Sequence, residues 1–224
     1  MFVLVNFISQ PDRMSIAPEE FADIIKELER RPIENNKYRK RAGEGRSQTF
    51  GVVNRRCLAP DYSRQNWLRP YLYKLILDFA KKHVSIPYNA ITLNQNFRAS
   101  AHRDRGNVGD SYLVAFGTFD NGELEIQEGD LKGIHNVKYK PLITDFSKVL
   151  HEVKEFSGNR YSLVFYQLSI NKKFKHNVIP PCSVELVDDT YVFKRGGEVC
   201  EGLPHPLKKH EIKIERVPVI ISFD

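Results

Sequence analysis

His102 and Asp104 stand two residues apart, His151 follows well downstream, and Arg160 and Ser162 lie just beyond it. Two imidazoles and one carboxylate form the donor set that holds iron(II) on one face and leaves three positions open. An arginine two residues before a serine adds a planar fork and a hydroxyl, which suit the far carboxylate of a small dicarboxylate. Together these residue types predict an oxygen-activating metal site rather than a structural one.

Positioning them is a question of strands. Side chains two apart on a strand share a face, so His102 and Asp104 can reach one metal. His-X-Asp also fits a surface turn, with Arg103 and Arg105 beside it. Downstream, Gly158-Asn159 reads as a two-residue hairpin loop that pairs Ser157 with Arg160. His151 lies an even step before Ser157, so this register puts His151, Arg160 and Ser162 on one face. A three-residue loop would put Arg160 on the other. The competing role for Arg160 is an ion pair with Glu155 or Glu152.

Residues 18–31 read as a helix, with Phe21, Ile24, Ile25 and Leu28 at helical spacing and charges on the other face. A second helix is expected at 70–83, with Leu72, Leu75, Ile76 and Phe79 as its stripe. From Ala90 the pattern changes to short strands, at 91–97, 112–119, 123–127, 134–139, 142–146, 152–156 and 161–168. Asn121-Gly122 predicts a hairpin between two of them. The expected class is mainly β with helical support (α+β), around a double-stranded β-helix, or jelly roll. One domain is expected: helical and basic support at 1–89, the jelly-roll core at 90–168, and a β extension at 169–224. That extension carries strands at 183–187, 191–194 and 217–223.

The chain has 224 residues, 41% hydrophobic and 28% charged, which suits a soluble globular protein with a sizeable core. Cys57, Cys182 and Cys200 are too few and too scattered for a disulfide framework, so reduced thiols and an intracellular setting are expected. The apolar start at 2–8 is too short for a signal peptide or a membrane span and reads as a strand. Positive charge is concentrated. Between Lys37 and Arg69 lie nine basic residues and two acids, a net +7 in a chain whose total is +6. Such a stretch is either a polyanion-binding surface or a solvated basic loop. Of the remaining histidines, His83 ends a helix, His135 and His176 are isolated, and His205, His210 and Cys200 match no familiar zinc spacing.

From about Asn94 to Tyr166 the chain resembles the catalytic core of the iron(II)- and 2-oxoglutarate-dependent oxygenases. Their pattern is His-X-Asp, a distal His, then Arg-X-Ser, carried here by His102, Asp104, His151, Arg160 and Ser162. Residues 102–112, followed by 119–124, are similar to the nucleobase-modifying branch, the ten-eleven-translocation and base-J-binding-protein oxygenases. The cysteine-rich accessory region of the animal enzymes has no counterpart here. The resemblance implies that His102, Asp104 and His151 bind Fe(II). It implies that Arg160 and Ser162 hold 2-oxoglutarate, and that O2 oxidises the methyl group of 5-methylcytosine or thymine in DNA.

A base in duplex DNA would have to leave the stack. Asn94 and Asn96 share a strand face and could read a base edge or hold the cosubstrate; bonding to neighbouring backbone is the alternative. Lys40, Arg41, Arg46, Arg55 and Arg56 are the expected phosphate contacts, and Gln48, Phe50, Arg98, Arg105 and Asn107 could line the mouth. A soluble monomer, nuclear in a eukaryote, is expected. Two other functions stay open: a protein side-chain hydroxylase of the same superfamily, and a catalytically silent nucleic-acid-binding jelly roll.

Overall fold

The computed structural model describes residues 15–33, 43–55, 58–169 and 179–200. The apolar start at 2–8, the strand expected at 217–223, and Lys37, Lys40, Arg41, Arg56, Cys57, His176, His205 and His210 lie outside the described residues.

A 3-10 turn, Pro18–Phe21, leads into α1, Ala22–Arg30. Pro18 suits this start because a first-turn residue needs no N–H, and Glu19 and Glu20 meet the positive end of the helix. Phe21, Ile24 and Leu28 form its buried stripe. A short α2, Gln65–Leu68, precedes α3, Pro70–His83, which buries Leu72, Ile76 and Phe79. At the end of α3, Lys82 and His83 reach Glu20 at 3.0 and 3.3 Å, tying the helical layer together.

The strands are β1 (Gly43–Arg55), β2 (Leu58–Tyr62), β3 (Ala90–Ala99), β4 (Asn107–Asn121), β5 (Leu124–Ile126), β6 (Gly133–His135), β7 (Leu142–Thr144), β8 (His151–Val153), β9 (Phe156–Leu168), β10 (Cys182–Val187), β11 (Thr190–Arg195) and β12 (Glu198–Val199). A six-stranded sheet runs β2-β1-β3-β9-β4-β7, a second runs β6-β5-β8, and a third runs β10-β11-β12. Neighbouring strands within these sheets pair antiparallel.

Side-chain alternation sets the layers. Tyr161, Leu163 and Phe165 of β9, with Val114 and Phe116 of β4, pack against the helices; Phe116 stacks on Phe21 at 4.5 Å. Leu113 and Ala115 of β4 join Leu124, Ile126 and Phe146 in a separate core toward the second sheet. Coverage of both faces explains the unbroken apolar runs from Tyr112 to Phe116 in β4 and from Leu163 to Tyr166 in β9. Facing sheets with helices behind the larger one make the expected jelly roll, mainly β with helical support. The third sheet adds Phe193, which packs on Tyr62, Trp67 and Tyr73.

Several local expectations are overturned. Residues 43–55 form a long strand of the main sheet, not a loop, so the sheet begins well before Ala90. Gly158-Asn159 is no hairpin. Both lie inside β9 and pair with Phe119 and Thr118 of β4. The stretch expected as one strand at 152–156 breaks at Lys154-Glu155, where the chain passes from the second sheet to the main one. Asn121 and Gly122 do take the left-handed φ values of a tight turn, 61° and 73°. They likewise join two sheets: β4 pairs with β7 and β9, whereas β5 pairs with β6 and β8.

Candidate metal centre and adjoining cavity

His102 and Asp104 do not sit on a strand. They lie in the connection between β3 and β4, which is fastened by its backbone. His102 exchanges two hydrogen bonds with His151, each 3.0 Å, and the Asp104 N–H donates to the Phe146 carbonyl at 2.9 Å. This sets the ligand-bearing connection against β8. One ligand atom from each of His102, Asp104 and His151 then lies within 4.8 Å of the others.

Hydrogen bonds fix how the two rings present themselves. His102 Nδ1 lies 2.6 Å from the Ser100 carbonyl, and His151 Nδ1 lies 3.0 Å from the Val149 carbonyl. A carbonyl only accepts, so each Nδ1 carries a proton, which leaves Nε2 as the ring atom that a neutral imidazole can offer to a metal. Burial holds the pKa of His151 below the ordinary histidine value, which favours the neutral ring. His102 Nε2 is 3.3 Å from Asp104 Oδ1. With a neutral His102 ring these two atoms converge closely enough to share a cation. On the far side of the carboxylate, Asn107 Nδ2 donates to Asp104 Oδ2 at 3.3 Å and reaches Ser111 Oγ at 3.4 Å. The donor set therefore suits a divalent transition metal, with outer partners in place for all three groups.

A cavity of about 190 Å³ adjoins these atoms, with Arg160, Ser162, Val164 and Tyr166 along its β9 wall. Arg160 is 2% exposed, and its Nη2 is buried without a hydrogen-bond partner. Its Nε donates to the Gly122 carbonyl at 3.2 Å, and the guanidinium lies 5.5 and 5.6 Å from the Phe119 and Phe156 rings. Burial pushes its pKa down to about 10, against the opposing pull of Glu123. The ion pairs weighed for it are not made: Glu155 pairs with Arg98 at 2.7 Å and Glu152 with Lys154 at 3.3 Å. A buried charged donor with no acceptor costs about 1–3 kcal/mol or more, which an anionic ligand would recover. Asn94 stands beside it. Its Nδ2 donates to Ser162 Oγ at 3.2 Å, while its Oδ1 is buried without a partner.

His151, Arg160 and Ser162 thus share one cavity, but not by the expected hairpin. His151 comes from the second sheet and faces strand β9 across the gap. Asn96 is also corrected. One extra residue in β3 opposite Gly45 makes a bulge, so Thr92 and Asn94 line the cavity, then Phe97 and Ala99. Asn96 is left outside at φ 49°, where its Oδ1 accepts from the Arg160 backbone N–H at 2.7 Å. A Cβ at Gly45 would come 2.2 Å from the Asn96 carbonyl, so the bulge requires glycine there.

Of the other expected mouth residues, Asn107 lines the cavity. Gln48 instead accepts from Arg69 at 3.2 Å, and Phe50 stacks on Tyr73 in the helical core. Arg98 and Arg105 are exposed and not among the cavity-lining residues. Arg55 is engaged within its own hairpin, donating to Ala59 at 3.0 Å and pairing with Asp61 at 3.3 Å. Arg69 is buried, so it is lost to any polyanion surface, whereas Arg46 is half-buried on β1. The cysteines 182 and 200 are free thiols. No described helix is long and apolar enough to cross a membrane.

The sequence reading missed Gly122, Phe146, Thr92 and Tyr166. A Cβ on Gly122 would stand 3.1 Å from both Cδ and Nε of Arg160, so this glycine makes room for the arginine. Phe146 packs its ring 4.6 Å from that of His151. Thr92 and Tyr166 join hydroxyls at 3.2 Å on the cavity wall. The period of two from Arg160 through Ser162 could have found Tyr166.

No family model matches the sequence, and the search of curated proteins finds no match. Solved structures with a similar chain path include NgTET1 in complex with 5mC DNA, at 16% identity and a TM-score of 0.47, covering 68% of this chain and 67% of that one. An oxidoreductase of the 2OG-Fe(II) oxygenase family from Burkholderia pseudomallei is 17% identical with a TM-score of 0.48, covering 70% and 82%. A bsmA homolog from Methylobium petroleophilum PM1 is 14% identical with a TM-score of 0.37, covering 67% and 82%.

Proposed function

We propose that this protein is an iron(II)- and 2-oxoglutarate-dependent dioxygenase that oxidises a methylated nucleobase, 5-methylcytosine or thymine, in DNA. The observation that carries the chemistry is the unpartnered Nη2 of the buried Arg160 guanidinium in the same cavity as the His102, Asp104 and His151 donor atoms. Such a cavity asks for a ligand with an anionic group at one end and metal-binding atoms at the other. A five-carbon 2-oxo dicarboxylate has both.

His102, Asp104 and His151 would hold the iron. Bound iron(II) supplies oxygen activation, coupling conversion of 2-oxoglutarate to succinate and carbon dioxide to insertion of one oxygen atom into a substrate C–H bond. Arg160 and Ser162 take the far carboxylate, and Asn94 orients the Ser162 hydroxyl. Asn107 aims the Asp104 carboxylate. Leu113, Leu124, Phe146 and Val164 line the same cavity and limit water.

The substrate assignment rests on the resemblance of residues 102–112 and 119–124 to the nucleobase-oxidising branch and on the basic stretch 37–69. A cavity of about 190 Å³ suits a small cosubstrate. Drug-sized pockets run roughly 300–1,000 Å³. A base would therefore approach the metal from the open side, where His102 and Asp104 side chains are 33% and 28% exposed.

The test is an anaerobic titration with iron(II) and 2-oxoglutarate, watching for the visible charge-transfer band of the chelate. Oxygen is then admitted with methylated DNA present, and the nucleosides are analysed by mass. A band and an oxidised base are expected. A band without base oxidation would move the substrate to proteins or small molecules. No band from folded, iron-loaded protein would leave the silent binder.

A further inference from the structure

Three consecutive residues ahead of His151 each have a backbone group held by a side chain, besides the main-chain bonds of Lys148 to Asp145 and of Leu150 to Gln127. The Val149 carbonyl accepts from His151 Nδ1 at 3.0 Å, as described. Its two neighbours are gripped from outside the cavity. The Lys148 carbonyl accepts from Arg103 Nε at 3.2 Å, and the Leu150 N–H donates to Glu128 Oε1 at 2.5 Å. Arg103 and Glu128 are themselves joined by a two-pronged ion pair, Nε to Oε1 at 2.8 Å and Nη2 to Oε2 at 2.6 Å.

The result is a closed ring: Arg103, the Lys148 carbonyl, the peptides leading to Leu150, its N–H, Glu128 and back to Arg103. Arg103 can take this part because it lies between His102 and Asp104. When those two turn to the metal, the residue between them turns away. Glu128 follows the end of β5, the strand that pairs with β8.

We propose that Arg103 and Glu128 are positioning residues for the metal centre, a strap that holds the Val149 carbonyl where it fixes the tautomer and direction of the His151 ring. The inference rests on the metal-binding reading above. An ordinary surface ion pair contributes little to stability. At 36% and 37% side-chain exposure this pair is no exception. Its worth lies in where it grips. Loss of an outer partner of a ligating histidine typically weakens metal binding about 10–100-fold.

The test uses the full chain and Mn(II) alone, read from the loss of the free-ion electron paramagnetic resonance signal. Arg103→Ala and Glu128→Ala should each raise the Kd for Mn(II) by roughly 10–100-fold with little change in melting temperature. The double variant should be no weaker than the worse single one, because the two act as a unit. Glu128→Gln keeps an acceptor for the Leu150 N–H and should restore part of the affinity. Glu155→Ala, which removes a different surface pair, that with Arg98, is the control and should leave Kd unchanged. Unchanged Mn(II) affinity in both single alanine variants, or an equal loss in the control, overturns the strap. Wild-type protein that binds no Mn(II) overturns the metal reading itself and the strap with it.

Discussion

His102 and His151 are joined through their backbones, each N–H donating to the other's carbonyl at 3.0 Å. Their rings lie 4.4 Å apart between centroids. The same two residues thus close an antiparallel bridge with their main chains and converge with their side chains. Each ring also turns its Nδ1 proton to the carbonyl two residues earlier, at Ser100 and at Val149. The bridge that brings the two residues together is therefore built from backbone contacts that do not depend on the imidazoles. That separation makes the site testable without unfolding it.

His102→Ala keeps both bridge bonds, since they are main-chain. Its side chain is 33% exposed. Metal-dependent turnover should vanish while stability changes by no more than about 0.5–1 kcal/mol. His151 is only 4% exposed and packs on Phe146, so His151→Ala should lose turnover and also about 1–3 kcal/mol. Thermal melts beside turnover assays separate the two effects. Undiminished turnover in His102→Ala would remove it from the metal centre.

Arg160 is expected to cost the ligand-free protein stability, because its buried charge has one orphaned donor. Arg160→Met fills similar space without the charge, so the ligand-free variant should melt at the same temperature or higher. The wild type should gain stability from 2-oxoglutarate, and the variant should gain far less. Charge-assisted bonds of about 1.5–3 kcal/mol correspond to roughly a 10–100-fold loss of apparent affinity. Equal 2-oxoglutarate binding by both proteins would mean that Arg160 does not hold it.

How far the site could be read from sequence depends on what each inference used. Residue types led to the right neighbours: the two histidines, the aspartate, Arg160 and Ser162 line one cavity. Chain geometry transferred poorly. The hairpin at Gly158-Asn159 gave the right neighbours by the wrong route, because a turn-like dipeptide can sit inside a strand when the facing backbone comes close. A Cβ at Gly158 would stand 2.2 Å from the Thr118 carbonyl, so glycine is required there for approach rather than for turning. The helices at 18–31 and 70–83 were legible because their apolar stripes are long and periodic. Strand β1 was not, since the charges at Glu44, Arg46 and Arg55 mask the buried run from Phe50 to Val52. Asn96 was misplaced because a bulge reverses the alternation, and no local signal marks one extra residue.

Asn96 combines two demands, a left-handed backbone and an acceptor for the Arg160 N–H. Asn96→Asp meets both and should behave nearly as wild type. Asn96→Gly keeps the backbone and loses the acceptor, while Asn96→Ala fails on both counts. The expected order of stability is Asp, then Gly, then Ala, with Ala lower than wild type by about 1–3 kcal/mol. Apparent 2-oxoglutarate affinity should follow the same order, because the bond lies on the residue that carries the guanidinium. Alanine and aspartate variants indistinguishable in denaturant melts would count against this role.

The basic stretch makes separable predictions for DNA. Arg55 is already committed to Asp61 and the Ala59 carbonyl, and Arg69 is buried against Gln48 and Glu27. Arg69 has no guanidinium to spare for phosphate, and Arg55, 38% exposed, already has Asp61 as a counter-ion, so Arg55→Gln should loosen the β1–β2 hairpin and change the salt dependence little. Lys40 and Arg41 are expected phosphate contacts that lie outside the described residues. Neutralising both should lower the slope of log K against log salt by about 1.8, since each duplex phosphate contact contributes roughly 0.9. Fluorescence anisotropy over a salt series measures both slopes. If Arg55→Gln flattens the slope and the Lys40/Arg41 pair does not, the phosphate contacts lie on the hairpin and the surface must be redrawn around β1 and β2.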